Sequence, residues 1–139
     1  MIERVLVPID DSEMARRALA YAFENHPDAE ITVLHVVGEP SPMWGTASGL
    51  VLEDDFETAA REHAEEVFEP ARELAAEYGI EPNTEIEVGD VAKAVVNTAD
   101  EFDLVVIGSH SGTLVERLFV GNTARKIVSH SPVPVTVVR

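Results

Sequence analysis

Three short stretches carry the residue types from which a polar binding site is made. Pro8-Ile9-Asp10-Asp11-Ser12 closes an apolar run and supplies two carboxylates at a turn. Gly108-Ser109-His110-Ser111-Gly112 closes a second apolar run with hydroxyls and glycines. Gly121-Asn122-Thr123 opens a helix, where free backbone N–H groups and the dipole favour an anion. A carboxylate such as Asp10 accepts hydrogen bonds from a base amino group or a sugar hydroxyl. Gly108 and Gly112 permit close backbone approach or a left-handed backbone. If these turns face one crevice, they read as a nucleotide pocket, with Asp10 on the base or ribose and Gly121 to Thr123 on phosphate. Each piece also has an ordinary use, since glycine makes turns after strands and Asn or Thr caps helices. Neither G-x-x-x-x-G-K-(S/T) nor G-x-G-x-x-G is present. Arg117, Arg125 and Lys126 lie nearby in sequence, where the common role is to cover helix surfaces.

The remaining titratable groups make no catalytic set. The histidines, His26, His35, His63, His110 and His130, form no i,i+4 pair and no H-E-x-x-H, so no metal site is read from them. His110 falls in the pocket turn, within reach of a phosphate or of a loop hydrogen bond. His35 lies in an apolar run and reads as a structural histidine. Asp11 and Glu13 suit either Mg²⁺ carried in with phosphates or the positive end of a helix. No Ser-His-Asp arrangement is supported by spacing. Met43 and Trp44, in a Pro/Gly-rich loop, either cover the pocket, meet a partner or close the core.

Five apolar runs alternate with helical patterns. Arg4–Ile9 is the first strand, and Ser12 caps a helix whose apolar residues are Ala15, Ala18, Leu19, Ala22 and Phe23. Ile31–Val37 is the second strand, followed by a loop over Gly38–Gly49. A long helix is expected over Leu52–Tyr78. Its stripe is Phe56, Ala60, His63, Ala64, Val67, Ala71, Leu74, Ala75 and Tyr78, with Pro70 as a kink point and Gly79 as the stop. Thr84–Val88 alternates like an edge strand. Asp90 then opens a helix with Val91, Ala94, Val95, Thr98, Ala99 and Phe102 on one face. Leu104–Ile107 is the unbroken run of a strand buried on both faces. A short helix around Val115–Phe119 and another over Thr123–Ser129 precede the last strand, Val133–Val138, which Pro134 assigns to an edge. Such βαβ alternation predicts one domain built on a parallel sheet with helices on both faces. Ligands then bind outside the carboxyl ends of the strands, where strand order reverses. No internal repeat, linker or low-complexity tract interrupts the 139 residues.

Charge narrows the partners. Asp plus Glu number 26 against 10 Lys plus Arg, a formal net charge of −16. Unaided binding to DNA or RNA, or to an anionic membrane surface, needs clustered cations that this chain lacks. No apolar run approaches a membrane span, the N-terminus lacks a signal-peptide pattern, and there is no cysteine. A cytoplasmic location follows as the expectation. Eight Arg against two Lys, with acidic runs such as Glu53-Asp54-Asp55 over an ordinary core, resembles proteins of salt-loving microbes. The screening length falls from about 10 Å at 0.1 M salt to about 3 Å at 1 M, which silences most of the self-repulsion.

The order of motifs along the chain resembles the universal stress protein family. The resemblance rests on Val5 to Glu13, Arg17-Ala18-Leu19, Leu34-His35-Val36, Gly108-Ser109-His110 through Arg117-Leu118, Gly121, Ala124 to Val128 and His130 to Val135. It implies a three-layer α/β/α sandwich with a five-stranded parallel sheet of order 3-2-1-4-5. The first and fourth strands are then side by side at the switch point. ATP-binding members carry G-x-x-G-x9-G-(S/T). Gly108 and Gly121 stand at its first and last glycines, whereas Ser111 replaces the second glycine and Asn122 the Ser or Thr. Gly112 and Thr123 are each displaced by one position. The resemblance further implies adenosine contacts by Asp10, the Pro8 turn, the backbone of Val36 or its neighbour, and the Ile107 side chain. It also implies a homodimer paired through Val135, Thr136, Val137 and Val138. Ser111 brings a Cβ where phosphates approach backbone and disfavours positive φ. Asn122 still donates through its amide and still caps. Three classes stay open: an ATP- or AMP-binding regulatory dimer with Mg²⁺ as accompanying ion, a dimeric interaction module that needs no nucleotide and meets an unknown protein, and a weak ATPase. No general base or water-positioning residue is identified for the last, so the protein is not expected to be an enzyme.

Overall fold

A computed structural model describes residues 1–38, 53–109 and 122–139, with the side chains of 53–56 left aside. The described elements are β1 (Arg4–Pro8), α1 (Glu13–Asn25), β2 (Glu30–Val37), α2 (Glu53–Glu77), β3 (Asn83–Val88), α3 (Val91–Ala99), β4 (Leu104–Gly108), α4 (Asn122–His130) and β5 (Val135–Val138). All strand pairs are parallel, and the order is β3-β2-β1-β4-β5. The expected fold class is the observed one. Met43, Trp44 and the short helix expected at Val115–Phe119 lie outside the described residues.

The pattern of burial follows from strand position. Val5, Leu6 and Val7 in β1 and Val105 and Val106 in β4 are fully covered, as continuous apolar runs in the middle of a parallel sheet must be. One sheet face packs Val5, Val7, Ile31, Val33, Leu104 and Val106 against α1 and α2. The other packs Leu6, Leu34, Val105 and Ile107 against α3 and α4. β3 is a mostly exposed edge and β5 a half-buried one. Pro134 precedes β5, where its missing N–H costs no ladder bond.

The helices start and stop by local chemistry. The Ser12 hydroxyl accepts from Ala15 N–H and Asp90 from Lys93 N–H, each satisfying an orphan donor of the first turn. α2 runs on through Pro70 and ends at Gly79, whose φ of 69° is open to glycine at little cost. Gly79 N–H donates to Ala76 C=O and Ile80 N–H to Ala75 C=O, the double bond of a Schellman stop.

Two helix faces differ from the expected ones. In α2, Phe68 is 1% exposed, although the expected stripe omits it. It stands four residues after Ala64 and three before Ala71, both buried, so it lies on the same face. His63 and Tyr78 lie at the rim, with His63 Nδ1 3.8 Å from a Glu66 carboxylate oxygen and the Tyr78 hydroxyl donating to Glu24. In α3 the buried residues are Ala92, Val95 and Ala99, continued by Phe102, while Val91 is 40% exposed. The Asp90 cap begins the helix one residue before the face that the sheet covers.

Candidate functional site

β1 and β4 are neighbours, and the chain leaves β1 toward β2 on one side and β4 toward β5 on the other. Their carboxyl ends frame a cleft of about 260 Å³. Pro8, Ile9 and Asp10 line it from the end of β1, Val36 from β2, Ile107 and Gly108 from β4, and Asn122 and Thr123 from the start of α4. Seven of the ten residues expected at a nucleotide site thus share one cleft. Ser111, Gly112 and Gly121 lie outside the described residues, as does His110.

The β1 turn is wired by its own side chains. One carboxylate oxygen of Asp10 accepts from Ser12 N–H at 2.8 Å, an Asx turn that delivers Ser12 to its capping position. The other oxygen has no partner among the described residues, and Asp10 is only half-buried at the cleft.

β2 brings Leu34, His35 and Val36 to the cleft, and adds a backbone edge. Leu34 C=O accepts from Ile9 N–H on the β1 side, and Val37 C=O accepts from Gly89 N–H on the β3 side. Alternation therefore directs the N–H and C=O of Val36 toward β1. The β1–β2 register stops at Pro8 opposite Leu34, so β1 has already turned away at that level. Among the described residues nothing pairs the Val36 backbone edge. A donor and an acceptor, adjacent and fixed, face the cleft beside Ile107, Val91 and Ile127.

Gly108 has a structural reason of its own. A Cβ there would stand 3.0 Å from both the Cβ and the carbonyl oxygen of Met14. Its backbone does not adopt the positive φ that Gly79 and Gly89 do. The close approach it permits is that of α1 across the end of β4.

The opposite rim is the first turn of α4. Asn122 and Thr123 are exposed there, beside N–H groups that have no intrahelical acceptor. Arg125 and Lys126 are exposed on the same helix. Asp11 and Glu13 are exposed but line a separate hollow between α1 and α2, with Glu13 in an ion pair with Arg17 at 3.9 Å. Among the described residues no cluster of three His, Asp or Glu is arranged to hold a metal.

Several lining residues have weak sequence signals. Val91 was expected on the buried face of α3 and instead lines the cleft as the first residue after the Asp90 cap. Ser12 and Ala15 line it as the capped start of α1. No helix among the described residues is long and apolar enough to cross a membrane.

The comparisons with known proteins agree with this architecture. A universal stress protein of Bacillus subtilis is 29% identical, with all of both chains covered. One of Thermus aquaticus is 30% identical, again over the full length of both. The solved structure of the universal stress protein UspA from Lactobacillus plantarum superposes with a TM-score of 0.79 at 26% identity, covering 99% of this chain and 98% of that one. More distant solved structures share the fold: a universal stress protein in complex with cAMP (20% identity, TM-score 0.70), one from Archaeoglobus fulgidus in complex with dAMP (22%, 0.65) and one from Arabidopsis thaliana with AMP bound (15%, 0.66). The model of the universal stress protein family matches residues 1–139, and the chain belongs to that family.

Proposed function

We propose that the cleft between β1 and β4 binds an adenine nucleotide, and that the protein is a cytoplasmic homodimeric regulator, a single domain over residues 1–139, rather than an enzyme. The observation that carries this reading is the unpaired backbone edge of Val36. An adjacent N–H and C=O between Ile107, Val91 and Ile127 complement the donor–acceptor edge of a purine held in an apolar slot. The free Asp10 oxygen suits a ribose hydroxyl, and the first turn of α4 with Asn122 and Thr123 suits a phosphate. The family relatives solved with AMP, dAMP and cAMP support an adenine ligand. Ser111, Gly112 and Gly121 complete the phosphate side in this reading. Mg²⁺ would enter only with a polyphosphate such as ATP, between its oxygens and Asp11 or Glu13.

The test is denaturing extraction of protein purified in about 2–3 M KCl, where self-repulsion is screened, followed by mass spectrometry of the released small molecules. Stoichiometric adenine nucleotide is the expected result, and it identifies the phosphate state. A protein that is empty and takes up neither AMP nor Mg-ATP contradicts the reading and leaves the nucleotide-independent interaction module. ATP turnover that scales with protein and disappears in Asp10→Ala would instead establish a weak ATPase.

The dimer is proposed through β5. The C=O of Pro134 and of Val138 both face β4, accepting from Val105 N–H and Ser109 N–H. By alternation the backbone groups of Val135 and Val137 face outward along the free edge. Val137→Pro removes an outward donor and leaves the ladder to β4 intact. It is expected to give monomers by light scattering, and an unchanged mass overturns this interface.

A further inference from the structure

We propose that His35 is the positioning residue of the cleft: its imidazole ends the β1–β2 ladder and thereby keeps the Val36 backbone edge free for a ligand. In a parallel ladder the bonds run on in one sequence. Ile9 N–H gives to Leu34 C=O at 2.8 Å, and the next bond would run from Val36 N–H to Ile9 C=O. That bond is absent. Ile9 C=O is instead met by Nδ1 of His35 at 3.1 Å. A carbonyl can only accept, so Nδ1 carries the hydrogen and donates. A side chain from β2 has taken the acceptor that β2's own backbone would use.

The ring is held for this task. His35 lies on the sheet face covered by α1 and α2 and is 6% exposed. Phe68 meets it edge to face, with centroids 6.4 Å apart and planes at 84°. His63 packs on it at 5.3 Å. The bond also fixes the carbonyl that immediately precedes Asp10, so one donor sets both the free edge of Val36 and the departure of the Asp10 turn. Loss of that donor frees Ile9 C=O inside the protein, where an unpaired acceptor is unfavourable. The donor that a continued parallel ladder would bring to it is Val36 N–H. The ladder then closes by one step and consumes the group that reads the ligand.

This assignment rests on the nucleotide reading for its consequence but not for its geometry, and the test separates the two. His35→Phe keeps a ring against Phe68 and removes the donor; His35→Leu is the second donor-free variant. His35→Asn loses the ring but carries an N–H group on Cγ, where imidazole carries Nδ1–H. With AMP as probe, the dissociation constant should rise about tenfold in His35→Phe and change less than about twofold in His35→Asn. A purely structural histidine predicts the reverse order, since the asparagine variant loses the packing. In nucleotide-free protein, Val36 N–H exchange followed by NMR should be fast in the native chain and protected in His35→Phe. Native affinity in both donor-free variants, or equal weakening in His35→Asn, overturns the proposal. If the native protein takes up no AMP, the nucleotide reading falls, and exchange decides alone. Unchanged Val36 exchange in His35→Phe and His35→Leu then overturns the ladder-ending role.

Discussion

The turns after β1 and after β3 are made from similar chemistry and end differently. Each leaves a parallel strand, carries a carboxylate and opens a capped helix. At the β3 turn the strand backbone is paired to its end. Gly89 N–H donates to Val37 C=O, and Asp90 caps Lys93 N–H. Asp10, like Asp90, accepts from a backbone N–H with one oxygen, but beside the β1 turn the backbone edge of Val36 has no partner among the described residues. The difference comes from the sheet and not from the turns. β3 is an edge strand whose only neighbour, β2, runs alongside it to the end, whereas β1 stops short beside β2 at the point where strand order reverses. The proposed binding site is a place where the ladder ends early while the neighbouring strand continues.

The largest effect should come from below the β1 turn. Phe68 is fully buried against His35, so Phe68→Ala should cost about 3–5 kcal/mol of stability, read by denaturant unfolding. The β3 turn has no such foundation: Ile86, Val88 and Val91 around it are exposed, and Val88→Ala should change stability by less than about 0.5 kcal/mol. A large loss from Val88→Ala, or none from Phe68→Ala, would break the contrast.

Next come the two carboxylates. Asp10→Asn keeps an oxygen for the Asx turn and removes the charge facing the cleft. AMP affinity should fall about ten- to a hundredfold by titration calorimetry, with little change in unfolding. Asp90→Ala should behave oppositely, losing about 1 kcal/mol of stability with the cap and leaving AMP affinity unchanged. Crossed or equal effects would show that the turns are not divided in this way.

A third carboxylate sharpens the comparison at the other end of β1. Asp103 accepts from both Glu3 N–H and Arg4 N–H, at 2.9 and 3.0 Å, and these bonds hold its pKa below the ordinary 3.8. A carboxyl depressed by folding contributes stability that is present above its unfolded pKa and is lost as pH falls through the folded one. Native protein should therefore lose stability on acidification below about pH 4, and Asp103→Ala should lose part of that acid dependence in thermal unfolding at pH 7 and pH 3. Identical acid profiles would contradict the pinning of β1.

The smallest and most general effect concerns salt. Every glutamate of α2 from Glu57 onward is exposed, and the chain carries −16. Screening should raise both stability and affinity for an anionic nucleotide between 0.1 M and 3 M KCl. Equal unfolding midpoints at the two salts would remove the adaptation to high salt that we propose for this acidic surface.

Much of this was legible in the residues. The unbroken Leu104–Ile107 run, the Ser12 cap, Gly79 and Pro134 place their elements because each rule is local. Asp10, Asn122 and Thr123 were legible as neighbours because the strand order brings them to one cleft. Phe68 and Val91 were not assigned to their faces, since helix phase depends on where the cap and the sheet set it. The role of His35 was illegible because it is a bond to Ile9, 26 positions away, that exists only where two strands part. Gly108 lines the cleft, and nothing in the order of residues signals that its missing Cβ also makes room for Met14 of α1.

The most direct test is an NMR titration of native protein with AMP, in about 2 M KCl, that follows the amides of both turns together. Saturable shifts that are largest at Asp10, Val36 and Ile107, and smaller at Gly89 and Asp90, are the expected result. No saturable shift, or shifts centred on the β3 turn, would contradict the assignment of the β1–β4 cleft as the nucleotide site.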